Sequence, residues 1–201
     1  MNHSLEAEAR AFWRWFSLVA QDLAYDFKNE VILLELDNRI RAFGAASWEV
    51  GPGVSKPNAL VISPGGTKER LQLCEEIVSV APEIPEWEFH SVKPPKQWTL
   101  RFTVEDGRGN RLEIDASDWE YVLLKMPDGT FDLVIRAQNI PRLDEELRQV
   151  AAEVAVDGIV GESLRLRYIV DVDVVTEFDE RHRQKATCIK HLGRHLISLV
   201  S

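Results

Sequence analysis

Cysteine is scarce in this 201-residue chain, with only Cys74 and Cys188. Two thiols so far apart make no disulfide framework and fit a reducing compartment; Cys74 also falls on the apolar side of a helical pattern, where a thiol acts as a small hydrophobe. Positive charge is short as well. Lys and Arg total 24 against 33 Asp and Glu, a net charge of −9, and both halves of the chain are mildly acidic. That balance argues against wholesale nucleic-acid binding, which requires a basic face, and no nucleic-acid partner is expected. No apolar run is long enough to span a bilayer, so no membrane association is expected. The opening Met1-Asn-His-Ser-Leu-Glu6 lacks a basic region followed by an apolar one, so no signal peptide is read and the expected location is cytoplasmic.

Catalytic signatures are missing too. No serine or cysteine stands in a recognisable nucleophile context. His191 and His195 have the spacing of one helix face, but Leu192 sits where a zinc peptidase needs glutamate, and Gly193 weakens the helix. The paired carboxylates Asp171 and Asp173, like Glu113 and Asp115, read as solvated strand faces. No metal, cofactor or catalytic residue is expected.

What is present suits an ordinary core: 45% hydrophobic residues, with six tryptophans as packing anchors. Residues 4–24 carry Leu5, Ala9, Phe12, Trp13, Phe16, Ala20 and Leu23 at spacings of three and four, which predicts an amphipathic helix. Trp15 lies off that stripe. A second helix over 27–43 presents Leu33, Leu36, Ile40 and Phe43, and Gly44 can end it. From Trp48 to His90 a breaker marks every junction of a ββαβ unit. Trp48 and Val50 alternate, Gly51-Pro52-Gly53 turns, and Leu60–Ile62 is a short buried strand. Leu71, Cys74, Ile77 and Val78 keep helical period, and Trp87 and Phe89 alternate with Glu86 and Glu88.

Beyond the stiff Lys93-Pro94-Pro95-Lys96 link, four strands follow, with turns at Asp106–Asn110 and at Pro127-Asp128-Gly129. Pro141 is placed in the first turn of a helix with Leu147, Val150, Ala151 and Val154 on its apolar face and Gly161 near its end, and Ile169–Val175 is a final strand. The whole reads as an α+β fold: two N-terminal helices, then ββαβ, then an elaborated ββββαβ, with helices on one face of a mainly antiparallel sheet. We expect a single domain over 1–178 with pseudo-repeat halves 46–92 and 98–176, and a basic C-terminal tail over 179–201 that folds back or reaches a second subunit.

Two places invite a ligand. Trp87, His90, Lys93, Lys96 and Trp98 surround the proline link, and tryptophans flanking a rigid turn can form a pocket or contact patch. The turn Ser63-Pro-Gly65-Gly66-Thr67 joins a strand to a helix, where Gly65, Gly66 and Thr67 would hold an anion, although the order of a Walker loop is inverted.

The motifs W-E-x-G-P-G at 48–53, L-V-I-S at 60–63, A-P-x-I-P-x-W-E-F-H at 81–90 and K-P-P-K at 93–96 resemble a family of uncharacterised bacterial proteins, a domain of unknown function. The resemblance spans roughly residues 10–175 and implies a bacterial, cytosolic α+β protein without a known reaction. An acidic, well-packed chain lacking a catalytic constellation points to a non-enzymatic interaction protein, immunity-type or accessory. Its partner would be a basic protein or a second copy. The alternative is a small-molecule-binding protein or enzyme using residues 87–98.

Overall fold

The computed structural model describes residues 3–44, 47–140 and 142–201. The expected start of a helix at Pro141 lies outside them. The chain divides into two compact units, Met1–Lys93 and Pro94–Ser201. The boundary falls inside the Lys93-Pro94-Pro95-Lys96 link, where two prolines impose an extended backbone.

In the first unit, helix α1 (His3–Tyr25) and helix α2 (Glu30–Ala42) are separate, joined by a short turn. Asn29 caps α2, its side chain accepting from Ile32 N at 3.2 Å. Strands β1 (Ser47–Pro52), β2 (Asn58–Ser63) and β3 (Trp87–His90) form one sheet in that order, with helix α3 (Leu71–Ser79) crossing from β2 to β3. The β1–β2 pair is antiparallel and β2–β3 is parallel. The apolar stripe read from the sequence is the buried face of α1: Phe12, Trp13, Phe16, Ala20 and Leu23 pack with Leu60, Ile62, Ile77 and Trp87. Polar ends of the buried rings are satisfied by backbone. Trp13 Nε1 donates to Ile77 O at 2.7 Å and Trp87 Nε1 to Ala20 O at 3.2 Å. Off the stripe, Trp15 is half-buried beneath the Arg39 guanidinium, whose Cζ lies 4.7 Å from the ring centroid.

The second unit holds strands β4 (Arg101–Glu105) and β5 (Arg111–Asp115), β6 (Glu120–Lys125) and β7 (Phe131–Arg136), then helices α4 (Glu145–Val160) and α5 (Glu162–Tyr168). It continues with strand β8 (Ile169–Val175), helix α6 (Glu180–Arg183), strand β9 (Thr187–Cys188) and helix α7 (Leu192–Val200). The four strands expected to run as one meander are partitioned: β4–β5 is its own antiparallel ribbon, and β8-β7-β6-β9 is a second sheet. Antiparallel β6–β7, a helical crossover and parallel β7–β8 repeat the hairpin-plus-crossover order of β1, β2 and β3. The hairpin signal at Pro127-Asp128-Gly129 is met: Asp128 Oδ1 accepts from Thr130 N at 3.0 Å, and Met126 N donates to Thr130 O at 2.8 Å.

Residues 179–201, read from the sequence as a basic tail that folds back or reaches a second subunit, are part of the second unit. Strand β9 pairs antiparallel with β6, and Ile189, Leu192 and Leu196 are fully buried in the core of the second unit. Leu192 and Leu196 are one helical turn apart, and that spacing outweighs the basic residues around it. Each unit thus has its own core, and no described helix is long and apolar enough to cross a membrane.

Candidate functional site

Strand alternation sorts the residues of the first sheet onto two faces. Trp48, Leu60, Ile62, Trp87 and Phe89 face the helices; Glu49, Val61, Glu88 and His90 take the other side, with Glu49, Val61 and His90 in register across three strands. Trp87 is therefore core, packed edge-on to Phe16 with centroids 5.0 Å apart, and is no contact residue. His90 and Lys93 do come to one face. His90 Nε2 lies 3.0 Å from Glu88 Oε1, and Lys93 Nζ lies 3.0 Å from Glu49 Oε1.

The residue that organises this face is Glu88, which sequence reading placed only as one polar position of an alternating strand. It is 8% exposed. Its Oε1 accepts from Val54 N at 2.6 Å; its Oε2 accepts from Ser55 N at 2.8 Å, Ser55 Oγ at 2.5 Å and Lys56 N at 2.9 Å. Three successive amides of the β1–β2 loop are thereby wrapped around one carboxylate. Gly53 makes the approach feasible, because a Cβ there would stand 2.4 Å from Lys56 O and 2.9 Å from Glu88 Cδ. Burial pushes the Glu88 pKa upward, but the Ser55 hydroxyl, His90 and the loop amides outweigh it and hold the group far below the usual carboxylate range. An ionised carboxylate only accepts, so His90 Nε2 is the donor of this pair. The result is an oriented, half-exposed imidazole of the kind used for proton transfer. None of the groups bonded to Glu88 and His90 is positioned as a nucleophile: the Ser55 hydroxyl is spent on Glu88.

Lys96 and Trp98 belong to the second unit. Trp98 packs on Phe102 at 5.4 Å between centroids and fills the space left by the missing side chain of Gly158, where a Cβ would stand 2.2 Å from Cζ2 of the ring. Lys96 N donates to Gly158 O at 2.7 Å, and its Nζ lies 5.9 Å from the Trp98 centroid. These contacts fix the start of the second unit. The anion turn also uses its own donors: Gly65 N bonds Ser63 Oγ at 3.1 Å and Thr67 N bonds Pro64 O at 3.3 Å. Gly65 and Gly66 have φ of 62° and 77°, and the helix beyond begins as a 3-10 turn over Lys68–Arg70 without a side-chain cap from Thr67.

Two further features lie in the second unit. A cavity of about 450 Å³ opens on the β4–β5 ribbon, lined by Arg101, Phe102, Thr103, Glu113, Ile114 and Asp115. Its charged walls are partly matched, since Arg101 Nε donates to Asp115 Oδ2 at 2.9 Å. Buried Tyr121 places its hydroxyl 2.7 Å from His195 Nδ1, and burial, then nearby Cys188, pushes its pKa up to about 12. His191 instead meets Arg194 at 3.1 Å, so the two histidines have different partners. Among the described residues, no group of three His, Cys, Asp or Glu is arranged to hold a metal ion.

The exposed apolar side chains complete the picture. Leu18 and Tyr25 on α1 are 82% and 94% exposed, and Val31 and Leu34 on α2 are 79% and 65% exposed. Leu18 falls outside the apolar period of its helix, and that departure is the signal in the sequence that could have found this surface. A scan of protein-family models, a search of curated proteins and a search of solved structures each give no match to this chain.

Proposed function

We propose that the protein is a non-enzymatic interaction module, of the accessory or immunity type, that binds a partner protein through the outer surface of α1 and α2. The observation that carries this reading is the set of four large apolar side chains held in water on two consecutive helices. Leu18 and Tyr25 are seven residues apart, two turns along one side of α1; Val31 and Leu34 are three apart, on one side of α2. Single exposed leucines are unremarkable, but a pair on each of two consecutive helices is apolar area that association would desolvate. Both helices are anchored by buried stripes on their opposite sides, so this outer surface is free to contact a partner without cost to the fold. The bacterial, cytosolic setting that the motif resemblance implies belongs to the same proposal.

Native mass spectrometry of the protein purified from its own cytoplasm tests the reading. A second polypeptide that co-purifies with the parent chain and is lost from Leu18→Glu/Val31→Glu, with the fold intact, supports it. A homodimer dissolved by the same pair makes the partner a second copy. The alternative, a small-molecule-binding protein or enzyme, draws on His90 oriented by Glu88 and on Lys93, held by Glu49 of the same sheet face. It predicts a bound small molecule that His90→Ala removes and the helix variants retain. A bare monomer from every preparation sinks both.

A further inference from the structure

Strand β8 reads Ile-Val-Asp-Val-Asp-Val-Val over 169–175, β-branched at five of seven positions, which suits a pleated strand. It is the outermost strand of its sheet. Beside it lies β7, and on its other side no strand pairs with it among the described residues. Its outward N–H and C=O groups are therefore a template for another strand. A register shift opposite Phe131/Asp132 leaves Val170 at an irregularity, 68% exposed. From Asp171 the register runs evenly, with Asp171 opposite Asp132, Asp173 opposite Val134 and Val175 opposite Arg136. Asp171 and Asp173 thus share one face, and Val172 and Val174 take the other.

The charge on this edge is unanswered. Asp171 and Asp132 stand directly across from one another, an arrangement that repels. Neither of their carboxylates, nor that of Asp173, has an ion-pair or hydrogen-bond partner among the described residues, and Arg136 on the same face of β7 is taken by Glu120. The three do not converge on a metal position. A second copy of β8 laid antiparallel about Val172 would set Asp171 against Asp173 of its mate, so the charge pattern disfavours self-pairing.

We propose that the free edge of β8 is a strand-addition site for an extended basic segment of a partner protein. Lys or Arg at alternate positions would stand opposite Asp171 and Asp173, and β-branched residues between them would lie beside Val172 and Val174. Backbone pairing supplies the affinity and the two aspartates supply the selection by charge. The site lies in the second unit, on a different element from the α1–α2 surface, so either proposal can fail without the other.

The test is fluorescence anisotropy of the full chain with a labelled Lys-Val-Lys-Val-Lys-Val-Lys peptide. Controls are its Glu-Val counterpart and a version N-methylated at alternate amides. The expected result is saturable binding of the lysine peptide, weakened roughly fivefold in Asp171→Asn/Asp173→Asn, with no binding of either control. Near-ultraviolet circular dichroism confirms that the exposed substitutions leave the fold unchanged. Absence of saturable binding, equal affinity in the double variant, or equal binding of the N-methylated peptide overturns the proposal. So does a homodimer of the chain alone that Val172→Pro dissolves.

Discussion

Replacing Glu88 by glutamine leaves the size of the side chain unchanged and removes its charge. Every donor around the carboxylate then meets a weaker or mismatched group. In the parent chain, two carboxylate oxygens accept from Val54 N, Ser55 N, Ser55 Oγ, Lys56 N and His90 Nε2. A glutamine oxygen in the Oε2 position can still serve Ser55 and Lys56. Its amide nitrogen instead confronts Val54 N–H, donor against donor, while His90 must change tautomer to accept. Bonds to a charged acceptor contribute about 1.5–3 kcal/mol each, and an orphaned buried donor costs about 1–3 kcal/mol. Some of that is recovered as the loop loosens into water, which leaves an expected net loss of about 3 kcal/mol.

The loss should be local first. Hydrogen exchange at the amides of residues 54–56 should accelerate about a hundredfold at neutral pH, since each 1.4 kcal/mol is a factor of about ten. Urea unfolding followed by tryptophan fluorescence should show an earlier transition for the first unit, which contains Trp13, Trp15, Trp48 and Trp87. The acid limb has a definite sign. The folded pKa of Glu88 lies below its ordinary value near 4.5, so its stabilisation is complete above that pH and is lost as pH falls toward the folded value. Glu88→Gln should remove that part of the acid dependence. If the three amides exchange at the parental rate, or the variant loses under about 1 kcal/mol, the carboxylate is not what holds the loop, and this reasoning fails.

Gly158→Ala should destabilise the second unit by about 1–2 kcal/mol in urea denaturation, because overpacking against the rigid Trp98 ring exceeds the gain in helix propensity. Adding Trp98→Leu should make the double variant less unstable than the two single changes combined; strict additivity would show that the ring and the glycine are not coupled. Tyr121→Phe should cost about 1 kcal/mol and abolish the tyrosine ionisation step near pH 12 in an ultraviolet titration, and a step that survives the substitution would belong to another tyrosine.

The difference between what was legible and what was not tracks the range of the interactions involved. The α1 stripe, the apolar face of α2, the Gly129 hairpin and the alternating strand of W-E-F-H are local signals, each confined to a few residues whose spacing matches one backbone period. The α+β class and the order of elements through β8 follow from them, α5 excepted. Strand pairing does not: nothing within β4–β5 says that it stands apart from β6–β7, because register and sheet membership depend on which distant strand supplies the backbone bonds. The residues around the proline link show the same limit. Proximity in sequence grouped Trp87, His90, Lys93, Lys96 and Trp98, whereas alternation turned Trp87 into the core, and Lys96 and Trp98 belong to the second unit.

Periods and turns, and with them the elements from α1 to α4 and strand β8, were readable from the chain, since they rest on steric preferences that each residue carries wherever it stands. Tertiary structure alone decided that residues 179–201 close the second core, that Glu88 rather than His90 is the centre of its face, and that β8 is an edge. Each of those outcomes is a contact between segments far apart in the chain, and its energy exists only when both are in place.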